Sequence, residues 1–151
     1  MLLTEPHALP TATRDALTQL APERIVVLGG HAAVGSAVTE RLDGMASQVD
    51  RIGGSDRYDT AMAVAADAFD AAETVLIATG AAAPHALAGA AASGRTAGPV
   101  LLTRPDGPHD ALGSEISRLG ATEVVVLGGE GAIRWTTASA MLWPWPAEAG
   151  A

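Results

Sequence analysis

The sequence predicts an α/β fold in which a parallel sheet carries helices on both faces. Three observations predict it. Strand-like and helix-like segments alternate along the chain. The strand segments are short β-branched or continuous apolar runs, as for strands covered on both sides, and each ends at glycine or threonine. The same pattern also occurs twice, 99 residues apart and without a gap.

The repeat sets the organisation. Leu2-Leu3-Thr4-Glu5-Pro6 falls on Leu101-Leu102-Thr103-Arg104-Pro105, and Ile25-Val26-Val27-Leu28-Gly29-Gly30 falls on Val124-Val125-Val126-Leu127-Gly128-Gly129. Ala33-Val34 falls on Ala132-Ile133. Residues 2–42 and 101–141 share 12 identities in 41 positions, gathered at strand ends and glycines, where a shared backbone demands them. Residues 1–47 therefore read as the C-terminal half of one copy, 48–142 as a complete copy and 143–151 as a Trp/Pro tail. The chain holds about one and a half units and is expected to be a fragment, a misplaced start or a degenerate array.

Within the complete copy, Val49–Ile52 is a short strand stopped by Gly53-Gly54. Ser55 or Asp56 caps a helix over 56–70, with Ala61, Val64, Ala65, Ala68 and Phe69 at helical spacing on one apolar stripe. Thr74–Ala78 is the second strand, ended by Thr79-Gly80. Pro84 opens a helix running to Ser93. Residues 99–102 form the third strand, 110–119 a helix closed by Gly120, and Val124–Leu127 the fourth strand. A last helix is expected over 131–142, stopped by Trp143-Pro144-Trp145-Pro146, with a frayed tail beyond. Met1–Leu3 corresponds to the third strand. Its missing neighbours leave an edge that pairing with the full copy or with a second subunit should cover, so homo-oligomerisation is expected.

Composition narrows the function classes. The 151 residues suffice for one compact domain. Ala, Val and Leu carry the core, since only 3% of residues are aromatic. The net charge is −8, and all nine basic residues are scattered arginines, so no basic face for nucleic acid forms. Cysteine is absent, which excludes disulfides and cysteine-ligated zinc. No apolar run reaches membrane-spanning length. The N-terminus lacks the basic and apolar regions of a signal peptide, so any export signal is expected outside this chain.

Several segments together resemble a known family. Arg51-Ile52-Gly53-Gly54-Ser55-Asp56-Arg57-Tyr58-Asp59-Thr60-Ala61 is similar to the opening signature of cell wall-binding repeat 2. Ala78-Thr79-Gly80 followed by Pro84-His85-Ala86-Leu87-Ala88 resembles its central motif. Residues 99–103 and Val126–Gly129 with Ala132-Ile133 resemble its closing motifs. These segments span 51–134 in family order, and residues 2–42 match the last two motifs. The resemblance implies Toprim-like or Rossmann-like repeat units. It also implies non-covalent attachment of secreted surface proteins to an anionic cell-wall polymer, a teichoic-acid-like chain or an acidic polysaccharide, at the cell wall or outside the cell. The central motif departs from the usual Phe-Pro-Asp, reading Ala83-Pro84-His85, and Gly35 and Arg134 stand where the closing motif often has Ser.

Candidate binding residues lie where a parallel sheet presents ligands, outside the carboxyl ends of its strands. Thr79, Gly80, Thr103, Arg104, Gly128 and Gly129 sit there, along with Gly53-Gly54. Their glycines either admit a ligand to backbone N–H groups or simply make tight turns. Arg57 offers a planar fork to phosphate or carboxylate and Tyr58 an amphipathic ring, or both tie the helix to a neighbouring repeat. His85, near a helix N-terminus, contacts ligand or is a partly exposed helix residue. His7, His31 and His109 share no metal-ligand spacing, and Trp135, Trp143 and Trp145 stack on sugars or pack. Nucleophile-elbow, P-loop, H-E-x-x-H and Asp-x-Asp signatures do not occur. The sequence thus reads as a non-catalytic anchoring module with no catalytic residues, metal site or cofactor. Two other readings are a structural or oligomerisation domain without ligand, and a small phosphate-ligand-binding domain.

Overall fold

The computed structural model describes residues 1–81, 89–90 and 93–134. The expected helix from Pro84 and the tail over 143–151 therefore fall wholly or mostly outside the described residues. The chain divides into two compact units, Met1–Val64 and Ala65–Ala151.

The first unit contains α1 (Thr11–Leu20), β1 (Arg24–Leu28), α2 (Ser36–Asp43), β2 (Gln48–Ile52) and the start of α3 (Arg57–Ala68). β1 and β2 pair in parallel, from Arg24 opposite Gln48 to Leu28 opposite Ile52. Strand alternation puts Ile25 and Val27 on one face. There they meet Leu17 of α1, Val38 and Leu42 of α2, and Val34, with Leu9, Met45 and Val49 packed around them. Val38 and Leu42 are four residues apart, hence on one helical face. Full burial of each such side chain contributes about 1.5–3 kcal/mol.

The second unit begins with the end of α3 and contains β3 (Thr74–Thr79), β4 (Val100–Thr103), α4 (Leu112–Leu119) and β5 (Glu123–Leu127). Its sheet has the order β4-β3-β5, all parallel. β3 is central and buried at all six positions, as its unbroken apolar run requires. In α4, Leu112, Ile116 and Leu119 lie at helical spacing and are each 1–2% exposed. On its outer side, Arg118 pairs with Glu115 at 2.8 Å and donates to the Phe69 carbonyl at 3.0 Å.

Positions 99 residues apart adopt the same backbone. Gly29 and Gly128 both have positive φ, 110° and 114°. The N–H groups of Ala33 and Val34 donate to the Gly30 carbonyl, as those of Ala132 and Ile133 do to Gly129. Gly35 N–H donates to Pro6 O at 2.7 Å and Arg134 N–H to Pro105 O at 3.0 Å. α1 and α4 end at Ala21 and Gly120, both left-handed.

The structure differs from expectation in three places. Met1–Leu3 form no strand. β4 is a strand because β3 supplies its ladder, through Leu76 N–H to Pro99 O and Gly80 N–H to Thr103 O; among the described residues no strand pairs with Met1–Leu3. Residues 131–133 form a turn rather than the start of a helix, because the paired bonds to Gly129 O close a single turn and Arg134 N–H then leaves for Pro105. On α3, Ala65 is buried but Ala68 is exposed, and Met62 joins the buried set instead.

Two predictions follow from these contacts. A left-handed residue with a side chain carries a strain of about 1–2 kcal/mol that glycine avoids. Ala21→Gly should therefore raise the denaturation midpoint and Gly120→Ala lower it, each by up to about 1 kcal/mol against the flexibility glycine adds to the unfolded chain. Second, hydrogen bonds from Arg24 and then Gln48 hold the Asp50 carboxyl below its ordinary pKa. A depressed carboxylate contributes stability above its unfolded pKa and loses it as pH falls through the folded value. Denaturant melts of wild type and Asp50→Asn should differ at neutral pH and draw together as pH falls below the ordinary aspartate range.

Candidate functional site

The loops that follow the strands build the candidate site, and each loop is held by the residues of its own motif. In the first unit the turns after β1 and β2 touch. Gly29 N–H donates to Ile52 O at 2.7 Å, and a Cβ on Gly53 would stand 2.6 Å from the Gly29 carbonyl carbon, so only glycine fits there. Arg51 reaches across from β2. Its guanidinium donates to Gly29 O at 2.6 Å and Val34 O at 2.8 Å, bracing both ends of the turn after β1.

Asp56 caps α3. Its carboxylate accepts from the N–H groups of Tyr58 and Asp59 at 2.8 and 2.9 Å, two donors a helix start leaves without helical partners. Thr60 accepts from Gly54 N–H and donates to Asp56 O, while the Ser55 hydroxyl meets the Asp59 carboxylate. Arg51 through Thr60 thus mostly specify a strand–turn–helix joint. Within it, Arg57 is exposed and Tyr58 half-buried.

In the second unit the carboxyl ends of the three strands come together. Thr79 and Thr103 are register partners, and Gly80 N–H donates to Thr103 O at 2.9 Å. Both threonines are essentially buried, at 2% and 0% exposure. Thr79 Oγ1 accepts from Ala81 N–H, and Thr103 Oγ1 donates weakly to the Arg104 carbonyl. Leu127 pairs with Ala78, which sets Gly128 and Gly129 beside this cluster, exposed, along with exposed Arg104. Thr79, Gly80, Thr103, Arg104, Gly128 and Gly129 therefore share one sheet end. Arg57 and Tyr58 belong to the first unit. His85, Trp135, Trp143 and Trp145 lie outside the described residues. The bracing role of Arg51 is not apparent from its motif alone; an arginine inside a strand, two residues before a Gly-Gly pair, is the signal available.

A family model described as Cell wall binding domain 2 (CWB2) matches residues 51–137, more than half of the chain. The chain belongs to the CWB2 family. A relative among characterised proteins is N-acetylmuramoyl-L-alanine amidase LytC of Bacillus subtilis (strain 168), 32% identical over 136 residues, which are 88% of this chain and 27% of that protein. Among solved structures, Cwp8 and Cwp6 from Clostridium difficile superpose with TM-scores of 0.76 and 0.81. They are 22% and 23% identical, and the match covers 93% of this chain but 24% and 23% of theirs. At that identity the likeness shows the fold. The chain spans about a quarter of the length of these relatives. The CWB2 match contains the joint built by Arg51–Thr60 and all three strand ends of the second unit.

Replacing Arg51 by Met should leave two turn carbonyls without their donors and lower stability by about 1–3 kcal/mol. Arg51→Lys should recover only part, since one ammonium does not reproduce the fork. Arg57→Ala, at an exposed position, should cost less than Arg51→Met, since exposed interactions contribute little. Chemical denaturation of the three variants checks the order.

Proposed function

We propose that this chain is a non-catalytic module that anchors a surface protein to an anionic cell-wall polymer at the cell wall. Membership of the CWB2 family carries the reading. The amidase activity in the name of the Bacillus relative is not carried over, because the matched stretch is 27% of that protein. On this reading the repeat comprises 48–142, and 1–47 is the second half of another copy.

Exposure divides the candidate residues by role. Arg57 and Arg104 are exposed cations, each beside a strand-end loop, and Gly128-Gly129 leaves exposed backbone next to the second. These groups, with Tyr58, contact the polymer's phosphates or carboxylates. Thr79, Gly80 and Thr103, buried and bonded within their loops, shape that surface. Each unit then binds modestly, and several acting together raise retention without new contacts.

The net charge of −8 opposes approach to a polyanion beyond the Debye length of about 8 Å. Attraction must therefore be local, from arginine forks or from divalent cations bridging carboxylates to the polymer. Co-sedimentation with purified cell walls decides this. The wild-type chain should be retained, and the double variant Arg57→Ala/Arg104→Ala should lose retention at least about fivefold with an unchanged circular dichroism spectrum. Release by a chelator at constant ionic strength would assign the attraction to bridging cations, and release by salt alone to the arginines. Failure of the wild-type chain to sediment with walls would overturn the anchoring role.

A further inference from the structure

Aspartate precedes glycine twice in the chain, at Asp43-Gly44 and Asp106-Gly107, and the fold treats the two pairs differently. Both aspartates are exposed. In such a pair the glycine nitrogen can attack the aspartate side-chain carboxyl carbon, because glycine turns freely and carries no side chain to shield that nitrogen. A helical main chain prevents the attack by holding the nitrogen away from the carboxyl. Asp43 is held in this way. It is the last residue of α2, Gly44 keeps right-handed dihedrals of φ −83° and ψ −2°, and Met45 N–H donates to Leu42 O at 2.8 Å.

Asp106-Gly107 lies between β4 and α4, without that restraint. Among the described residues no hydrogen bond engages the Asp106 carboxylate or the Gly107 N–H. A Cβ on Gly107 would meet no atom within 4 Å, so the approach to its nitrogen is open. Pro108 disfavours helical dihedrals at Gly107, which keeps the pair out of the turn that opens α4. The loop 99 residues earlier shows a restrained version. There Ala8 O accepts from Glu5 N–H at 3.2 Å and from Thr4 Oγ1 at 3.0 Å. Its counterpart Gly107 accepts neither bond, and Thr103 Oγ1 turns instead to the Arg104 carbonyl at 3.4 Å.

We propose that Asp106-Gly107 is a site of spontaneous isomerisation that lengthens the loop beside Arg104. The Gly107 nitrogen bonds to Asp106 Cγ and gives up its proton, the Cγ–OH bond breaks, and water leaves as a cyclic imide closes. Water then adds at the former main-chain carbonyl and the bond from that carbon to nitrogen breaks. The chain now runs through Asp106 Cβ and Cγ, as an isoaspartyl residue with a free α-carboxylate. Nothing is oxidised or reduced, and the mass is unchanged. The added methylene falls between two tied carbonyls: Pro105 O takes Arg134 N–H at 3.0 Å, and His109 O takes Leu112 N–H at 2.9 Å. The longer path loosens the first tie. The reaction needs only water and does not depend on polymer binding.

The whole chain, aged for weeks in warm buffer with and without denaturant, tests this. An endoproteinase that cuts before aspartate but not before isoaspartate, followed by peptide chromatography with mass detection, counts both forms. In the native chain, conversion at Asp106 should run at least about tenfold faster than at Asp43. In denaturant, where α2 is gone, the two rates should agree within about threefold. Gly107→Val places a branched side chain over the nitrogen, in open space, and should slow Asp106 conversion at least about tenfold with an unchanged circular dichroism spectrum. In the converted chain, hydrogen exchange at the Arg134 amide should speed at least about threefold. Native conversion at Asp106 no faster than at Asp43, or a Gly107→Val chain converting at the wild-type rate, would overturn the site. Conversion with Arg134 exchange unchanged would overturn the effect on the loop.

Discussion

A strand in a parallel sheet is stable only beside another strand, and that requirement organises both units. β3 satisfies it twice, lying between β4 and β5 with every residue buried. Its ladders turn Val100–Thr103 into a strand and bring three carboxyl ends into one cluster. The first unit obeys the same rule with a pair of strands. β1 keeps its ladder to β2, but Met1–Thr4, nearly identical to the β4 segment, form none. Leu101 is buried beside β3, whereas Leu2, 99 residues earlier, is 42% exposed.

Glycine and arginine do complementary work at the strand ends. Gly29 and Gly128 take the positive φ that lets a strand turn sharply, and Gly53 lets two such turns touch. Arg51 then braces one turn through two carbonyls. Within the motif Arg51 is half-buried and braces the turn, whereas Arg57 is exposed. The same division separates the buried threonines from Arg104 in the second unit.

Much of this was legible in the sequence because the repeat supplies an internal comparison. The 99-residue shift aligned the glycines whose dihedral angles coincide, and the apolar run at Thr74–Ala78 announced a strand covered on both faces. Less legible were features that depend on neighbours. Residues 131–133, expected to open a helix, form a turn, since a long-range bond from Arg134 to Pro105 decides where the chain goes. Met1–Leu3 read as a strand from their match to Val100–Leu102 in the repeat, yet that match carries no information about whether a partner strand is present.

The sequence by itself determined the α/β pattern, the family and the positions of the strand-end loops, because periodicity and turn chemistry are local properties of a chain. Only the tertiary structure decided which polar groups are consumed within those loops, and that β1 pairs with β2. Hydrogen-bond partners and burial are set by residues distant in sequence, so two nearly identical stretches meet opposite fates: Leu101 is sealed in a core and Leu2 lies open to water.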